Sequence, residues 1–327
     1  MTTDPVERIL GEEEWIPHAI DKQAQSVVFA RVPRERYSAP GFLFEFQPER
    51  QEDYIALPFS AVEGLRIDSC PVHFVFHSAF CRSTLLTRAL NIDELSIGLS
   101  EPGVIASLAT DPELRARLLT PLLGMLSRQR KGVRAVFIKP TNHANRIIPA
   151  LLDAVPDAKA ILLTGSLASF LSSVRRRGLM GHRWGRQLYL ENQSYAGIDF
   201  GMQPQEVFAM SDLQTAGLAW LLYQNLFAQI ASKHPDRTRI VHSEQFNGAR
   251  GETLAAILDF CKAGQDKPPV GALAASPAFE HHAKLGGKVT EQAVDPSTAE
   301  EIAQVEQWLK LIGQQLRLEL PVPGSLL

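Results

Sequence analysis

Cysteine is scarce in this chain, charges of the two signs nearly cancel, and no apolar run is long. The three cysteines, Cys70, Cys81 and Cys261, stand far apart and outside any paired motif. That spacing excludes a disulfide framework and a zinc knuckle, and leaves each as a small buried thiol. Charged residues are 21% of the chain and the formal net charge is −3. This excludes a protein that wraps nucleic acid by bulk charge, so no nucleic-acid partner is expected. No segment approaches the roughly 18 apolar residues of a membrane span, and the acidic start MTTDPVERILGEEEW has no apolar core of a signal peptide. The expectation is a cytoplasmic protein without a membrane partner. Internal repeats and low-complexity tracts are missing too.

What the chain does have is material for a sizeable core, with 45% hydrophobic residues among 327. One large α/β domain with an N-terminal extension accommodates this length, as do two smaller domains. We place a small β-rich extension at 1–68 and the main domain at 69–327. The extension holds three short β-prone runs, SVVFARV (26–32), FLFEFQP (42–48) and DYIALPF (53–59), separated by polar, Pro- or Gly-bearing stretches. From Pro71 onward strand, loop and helix alternate. VHFVF (72–76), AVFIK (135–139), KAILL (159–163) and RIVH (239–242) read as strands of a buried parallel sheet. Between them, helical faces carry Leu85, Leu86, Ala89 and Leu90, then Ile147, Ile148, Leu151 and Leu152, then Leu167, Phe170, Leu171 and Val174. Long helices are expected near 211–233 and 297–318, the second with a core stripe of Trp308, Ile312 and Leu316. Alternating elements of this kind predict a parallel sheet flanked by helices. Region 178–210, rich in Gly, polar and aromatic residues, reads as a long binding loop or lid.

In an open parallel sheet, ligands sit beyond the carboxyl ends of the strands. The first such end is HSAFCRST (77–84), between a buried strand and a helix start. A loop there aims backbone N–H groups at a phosphate, aided by the helix dipole. Ser83 and Thr84 add hydroxyls, and Arg82 adds a fixed positive charge.

These residues resemble the modified P-loop of the sulfotransferases, which often reads G-x-P-[RK]-S-G-T-T before two apolar residues. Ungapped, this chain supplies His77, Ser78, Ala79, Phe80, Cys81, Arg82, Ser83 and Thr84, then Leu85 and Leu86. The hydroxyl pair and the helix match. His77 and Arg82 stand at the two glycines, and Phe80 at the basic residue. The resemblance is closer over 137–178, which is similar to the family run K-[ST]-P, apolar helix, F-P-D-A-K, apolar strand, R-D-P-x-x-V-x-x-S. Lys139 and Pro140 fall at a strand end, and Pro156, Asp157, Ala158 and Lys159 at the turn into the next strand. Ser173 takes the place of the serine that binds the donor's 3′-phosphate, while Gly165, Ser166 and Leu167 replace Arg-Asp-Pro. Arg175, Arg176 and Arg177 follow one turn later. SEPG (100–103) comes after the loop helix by a short connection, with Glu101 where some sulfotransferases carry a catalytic Glu. VHSEQF (241–246) resembles the family's V-R-Y-E-D-L, with Glu244 at the acid. HHAKLGGKV (281–289) resembles the basic, Gly-bearing loop that closes over the nucleotide. The resemblance spans about 71–290.

What the resemblance implies is a P-loop nucleoside-triphosphate-hydrolase-like fold of sulfotransferase type. It implies sulfuryl transfer from 3′-phosphoadenosine-5′-phosphosulfate (PAPS) to a hydroxyl or amine of a small molecule or carbohydrate. Ser78, Ala79, Phe80, Cys81, Arg82, Ser83 and Thr84 would hold the 5′-phosphosulfate. Ser173 with Lys284, Gly286, Gly287 and Lys288 would hold the 3′-phosphate. Arg82 and Lys139 would stabilise transition-state charge, and Glu101 would be the general base. No metal is required.

Other readings of the same residues stay open. Ser83 and Thr84 suit an ordinary helix cap, Glu101 before Pro-Gly suits a surface turn, and the three arginines suit a solvated helix face. Ser172 and Ser173 suit small residues beneath a helix, and adjacent His281 and His282 lack metal-ligand spacing. A nucleotide- or partner-binding protein that transfers nothing also fits the altered loop. A kinase would show GxxxxGK[ST], and here Ser83 stands at the Lys of that motif.

Overall fold

The computed structural model describes residues 4–280 and 296–327. Its N-terminal part folds into an antiparallel sheet of Trp15–Asp21 (β1), Ser26–Arg31 (β2) and Tyr54–Pro58 (β3), in that order. The β1–β2 turn is set by Asp21, whose carboxylate accepts the N–H groups of Gln23 and Ala24, both at 2.9 Å. The run 42–48 is not a strand. Its alternating Phe42, Phe44 and Phe46 mimic strand periodicity, but Gly41 (φ +97°) bends the chain before it and Leu43–Glu45 close a 3₁₀ turn. The Glu45 carboxylate secures that turn by accepting the Phe42 N–H at 3.2 Å. The strand that completes the sheet is β1, hidden in sequence by Pro17, which an irregularity in register between Pro17 and Ala19 accommodates.

The main sheet has five parallel strands, Val72–His77 (β4), Ser96–Ser100 (β5), Ala135–Lys139 (β6), Ala160–Thr164 (β7) and Thr238–His242 (β8), ordered β5–β6–β4–β7–β8. Every residue of β4 through β7 is buried, as expected of strands covered on both faces. The fold is therefore α/β, a parallel sheet flanked by helices. Four of these strands coincide with the apolar runs. β5 was not among them, and it lies between the loop helix and Glu101. Its SIGLS sequence lacks the density of β-branched residues that marks a strand. The side-chain amide of Asn91 holds it, accepting the Gly98 N–H at 3.0 Å and donating to the Gly98 carbonyl at 3.3 Å. Gly98 itself cannot carry a side chain, because a Cβ would lie 2.0 Å from the Thr87 carbonyl oxygen of helix Ser83–Ala89.

The described residues divide into two compact units. One contains residues up to Phe76, Arg82–Ala160 and the stretch from Leu254. The other contains His77–Cys81, Ile161–Thr253 and the C-terminal helix and tail. In the first, the N-terminal sheet packs on helices Gly103–Ala109 and Pro112–Leu126. Arg128 is buried there and donates to the carbonyls of Ile9, Leu10 and Glu12 at the end of helix Pro5–Gly11, a cation placed on a helix C-terminus.

In the second unit, helices Leu167–Arg176, Gly178–Gln193, Asp212–Lys233 and Pro296–Gln315 pack together. Region 178–210 is therefore not a long loop, since helices Gly178–Gln193 and Pro204–Ala209 cover most of it. The glycines that suggested a loop are packing residues one turn apart. A Cβ at Gly181 would come within 2.1 Å of the Val174 carbonyl oxygen, and one at Gly185 within 2.9 Å of the Ala216 Cβ. In the last helix the buried stripe is Ile302, Val305 and Leu309, not Trp308, Ile312 and Leu316. The shift of register brings Val305 and Leu309 over Gly217 of the 212–233 helix. All three cysteines are buried thiols outside any disulfide. Among the described residues, no helix is long and apolar enough to cross a membrane.

Two expectations follow from this packing. Gly98→Ala should cost about 3 kcal/mol in urea denaturation, because the Cβ forces the loop helix off β5. The second concerns His73 on β4, whose Nδ1 accepts the Lys159 N–H at 3.2 Å. Burial, and secondarily the Lys159 ammonium, lowers its pKa from 6.5 to about 4. A depressed folded-state pKa gives stability that is complete above pH 6.5 and lost as pH falls toward 4. The loss should be about 3 kcal/mol across that window, and His73→Gln should flatten it.

Candidate active site

The loop after β4 is built from both ends. Ser78 extends the sheet ladder, its N–H donating to the Leu163 carbonyl at 3.0 Å. Its hydroxyl donates to Thr164 Oγ1 at 3.3 Å, and Gln224 Nε2 donates to the same oxygen at 2.7 Å. Gln224 belongs to the 212–233 helix, and its own carbonyl accepts the Val322 N–H at 3.0 Å. A fully buried amide thus ties the end of β7, the loop and the C-terminal tail together. Cys81 Sγ donates to the Ser78 carbonyl at 2.9 Å and is buried, a closing contact of the loop.

Phe80 and Arg82 both adopt left-handed backbone, at φ +60° and +62°. A non-glycine residue there is uncommon, and the pair brackets Cys81. Arg82 is the N-cap of helix Ser83–Ala89 and is exposed, so Ser83 and Thr84 are its first two residues and not its cap. The N–H groups of Phe80, Arg82, Ser83 and Thr84 have no acceptor among the described residues. Thr84 is 2% exposed and its hydroxyl has no partner. Buried donors of this kind are normally satisfied, and a tetrahedral anion would satisfy several at once.

Phe80 packs beside Phe170 (5.8 Å) and edge-on to Trp184 (4.7 Å). The Arg177 guanidinium lies 4.1 Å from its ring centre. Arg177 also donates to the Ser173 carbonyl at 2.9 Å, and Arg176 donates to the Ser173 hydroxyl at 3.1 Å. Arg175, Arg176 and Arg177 are all exposed, and the last two also reach Ser173, with Arg177 against Phe80 as well. Gly165 and Ser166 make the short connection from β7 to helix Leu167–Arg176. A Cβ on Gly165 would lie 2.7 Å from Ser243 Oγ, and the Trp220 indole donates to the Gly165 carbonyl at 2.8 Å. Ser166 caps helix Leu167–Arg176, and its N–H donates to Glu244 at 3.0 Å. Burial raises the Glu244 pKa, but hydrogen bonds from Ser166, from its own N–H and from Ser243 outweigh it and hold the carboxyl below its ordinary value.

In the first unit, the ends of β5 and β6 bring Glu101 and Lys139 together. The Lys139 ammonium, with no solvent exposure, pairs with the Glu101 carboxylate, which keeps 12%. Glu101 is not on a surface turn. It is left-handed (φ +56°), and its N–H donates to the Lys139 carbonyl at 2.7 Å. Lys284, Gly286, Gly287 and Lys288 lie outside the described residues. Thr164, Gln224 and Ser100 escaped the sequence reading, since each acts through a partner set by register or by a distant helix.

Removing one member of the Lys139–Glu101 pair should reveal its cost. Glu101→Gln leaves a buried ammonium without its carboxylate and should lower stability by roughly 3–5 kcal/mol. Combining it with Lys139→Met should restore most of that loss in thermal or urea unfolding.

No protein-family model and no curated protein matches the chain. Among the solved structures similar to it at low identity are three sulfotransferase chains. A sulfotransferase domain from the curacin biosynthetic pathway is 14% identical over 78% of this chain and 100% of that one, with a TM-score of 0.43. A sulfotransferase from Alicyclobacillus acidocaldarius is 13% identical over 76% and 97%, at 0.42. A sulfotransferase domain from the Synechococcus PCC 7002 olefin synthase is 14% identical over 75% and 97%, at 0.39.

Proposed function

We propose that this chain transfers a sulfuryl group from PAPS to a hydroxyl or amine on a small-molecule or carbohydrate acceptor. The observation that carries this reading is the 78–84 loop. Its Ser83–Thr84 pair before a helix resembles the end of a sulfotransferase loop, its backbone turns left-handed at Phe80 and Arg82, and its N–H groups, without an acceptor among the described residues, accompany a buried, unpartnered Thr84 hydroxyl. In the reaction, the acceptor oxygen or nitrogen forms a bond to sulfur as the bond from sulfur to the 5′-phosphate oxygen breaks. The acceptor's proton goes to Glu101, and 3′,5′-adenosine bisphosphate leaves. Loop N–H groups and Arg82 offset the charge that develops, a task of placed dipoles and cations. Protonation of Glu101 removes the counter-charge of Lys139 as negative charge builds on the transferring group. Ser173, with Lys284, Gly286, Gly287 and Lys288, binds the 3′-phosphate. The chemistry calls for no metal.

Calorimetric titration with 3′,5′-adenosine bisphosphate, against AMP and ATP–magnesium, tests the donor assignment. Micromolar affinity that needs the 3′-phosphate is expected, together with loss of transfer in Arg82→Ala. Preference for ATP with magnesium would favour a kinase, and no binding of any of the three would leave a fold used for binding something else.

A further inference from the structure

The transfer reading gives the N-terminal extension no task, yet part of it lies against Lys139 of the Lys139–Glu101 pair. The segment 36–46 is tied down by the loop helix and the residue that follows it closely. Arg88 Nε donates to the Ser38 carbonyl at 2.8 Å, and Asn91 Nδ2 donates to the Tyr37 carbonyl at 3.1 Å. Beyond these anchors the chain turns at Gly41 and lays the Phe42 ring 5.2 Å from the Lys139 ammonium. Phe44 stacks on Phe42 with centroids 5.5 Å apart and is 48% exposed. Gly103, two residues past Glu101, permits this closure. A Cβ there would lie 2.8 Å from the His18 carbonyl oxygen and 3.2 Å from the Phe44 Cβ.

Ser100 supplies the second observation. It is the register partner of Lys139 in the parallel β5–β6 pair, so the two side chains point to the same face of the sheet. Ser100 is 5% exposed, and its hydroxyl has no hydrogen-bond partner. It borders a cavity of about 10 Å³ whose other walls include Arg36, Tyr37, Gly41, Phe42 and Leu43. That is room for one water-sized group. Phe42 is common to both features, covering Lys139 and lining the cavity at Ser100.

We propose that segment 36–46 is the acceptor-selecting wall, and that Phe42 and Ser100 restrict the acceptor to an unbranched primary alcohol. The Ser100 hydroxyl pairs with the incoming hydroxyl group, whose carbon enters past Phe42. A branch on that carbon meets the Phe42 ring, while an apolar body lies outward along Phe44. The proposal rests on the transfer reading for the identity of the reacting pair, but the shape of the wall is independent of the donor.

The test uses the full chain saturated with 3′,5′-adenosine bisphosphate and, in parallel, without it. Calorimetry compares 2-phenylethanol with its branched isomer 1-phenylethanol. The wild-type protein should bind the unbranched isomer about tenfold or more tightly, and Phe42→Ala should reduce the ratio to within about threefold. Phe42→Leu, which keeps apolar bulk in the strap, should fall between and serves if the alanine variant does not fold. Equal binding of both isomers by the wild type, binding of neither, or an unchanged ratio in the Phe42 variants overturns the proposal. If adenosine bisphosphate binds and the ratio fails, the wall falls alone. If the ratio holds and adenosine bisphosphate does not bind, the donor reading falls alone.

Discussion

Lys139 carries its charge at zero exposure, and the structure around it is arranged to make that tolerable. Withdrawing an ammonium from water costs several kcal/mol, which only a well-placed counter-charge offsets. Glu101 provides it, but only because β5 ends beside β6 and the chain then turns left-handed to return the carboxylate over the sheet edge. That turn fixes Pro102 and Gly103 at the start of the next helix, and Gly103 in turn fixes how near the N-terminal strap can come. An edge strand without strong β-formers thus keeps its register through a charge at its end and an asparagine along its side. The ion pair organises more than it stabilises.

A second constraint runs through the strand ends. Phe80, Arg82 and Glu101 hold left-handed backbone without being glycine, at a cost of order 1–3 kcal/mol each. Such conformations persist only where surrounding contacts over-determine them. Around Phe80 these are Phe170, Trp184 and Arg177, and below the loop the Ser78–Thr164–Gln224 bonds. This chain reaches a backbone that glycine would adopt freely by clamping larger residues. The aromatic clamp also holds a guanidinium, that of Arg177, against the Phe80 ring.

Most of the sheet was legible because β4, β6, β7 and β8 are short apolar runs between helical patterns, and such runs have few alternatives in a chain of this composition. β5 was not, because its stability comes from Asn91 and from a glycine pressed against the loop helix, neither of which has a sequence period. The 178–193 helix was misread for a related reason, since Gly181 and Gly185 resemble loop residues until the neighbouring helices show what they make room for. Phe42, Phe44 and Phe46 erred the other way, with strand alternation serving a strap. In the candidate site, the loop could be read from hydroxyls and a cation after a buried strand. Ser100 and Phe42 could not, because their meaning depends on a register partner and on a segment about sixty residues away in the chain.

The tryptophans give the clamp around the loop an optical side. Of four in the chain, Trp184 touches Phe80 edge-on, and the Trp220 indole N–H donates to the Gly165 carbonyl just after β7. Trp15 lies buried in the N-terminal sheet and Trp308 is half-buried on the last helix. Two intrinsic fluorophores therefore sit against the loop and the end of β7, and a change in loop backbone alters the surroundings of an emitting ring. The protein carries a built-in reporter on its own loop, readable without a label.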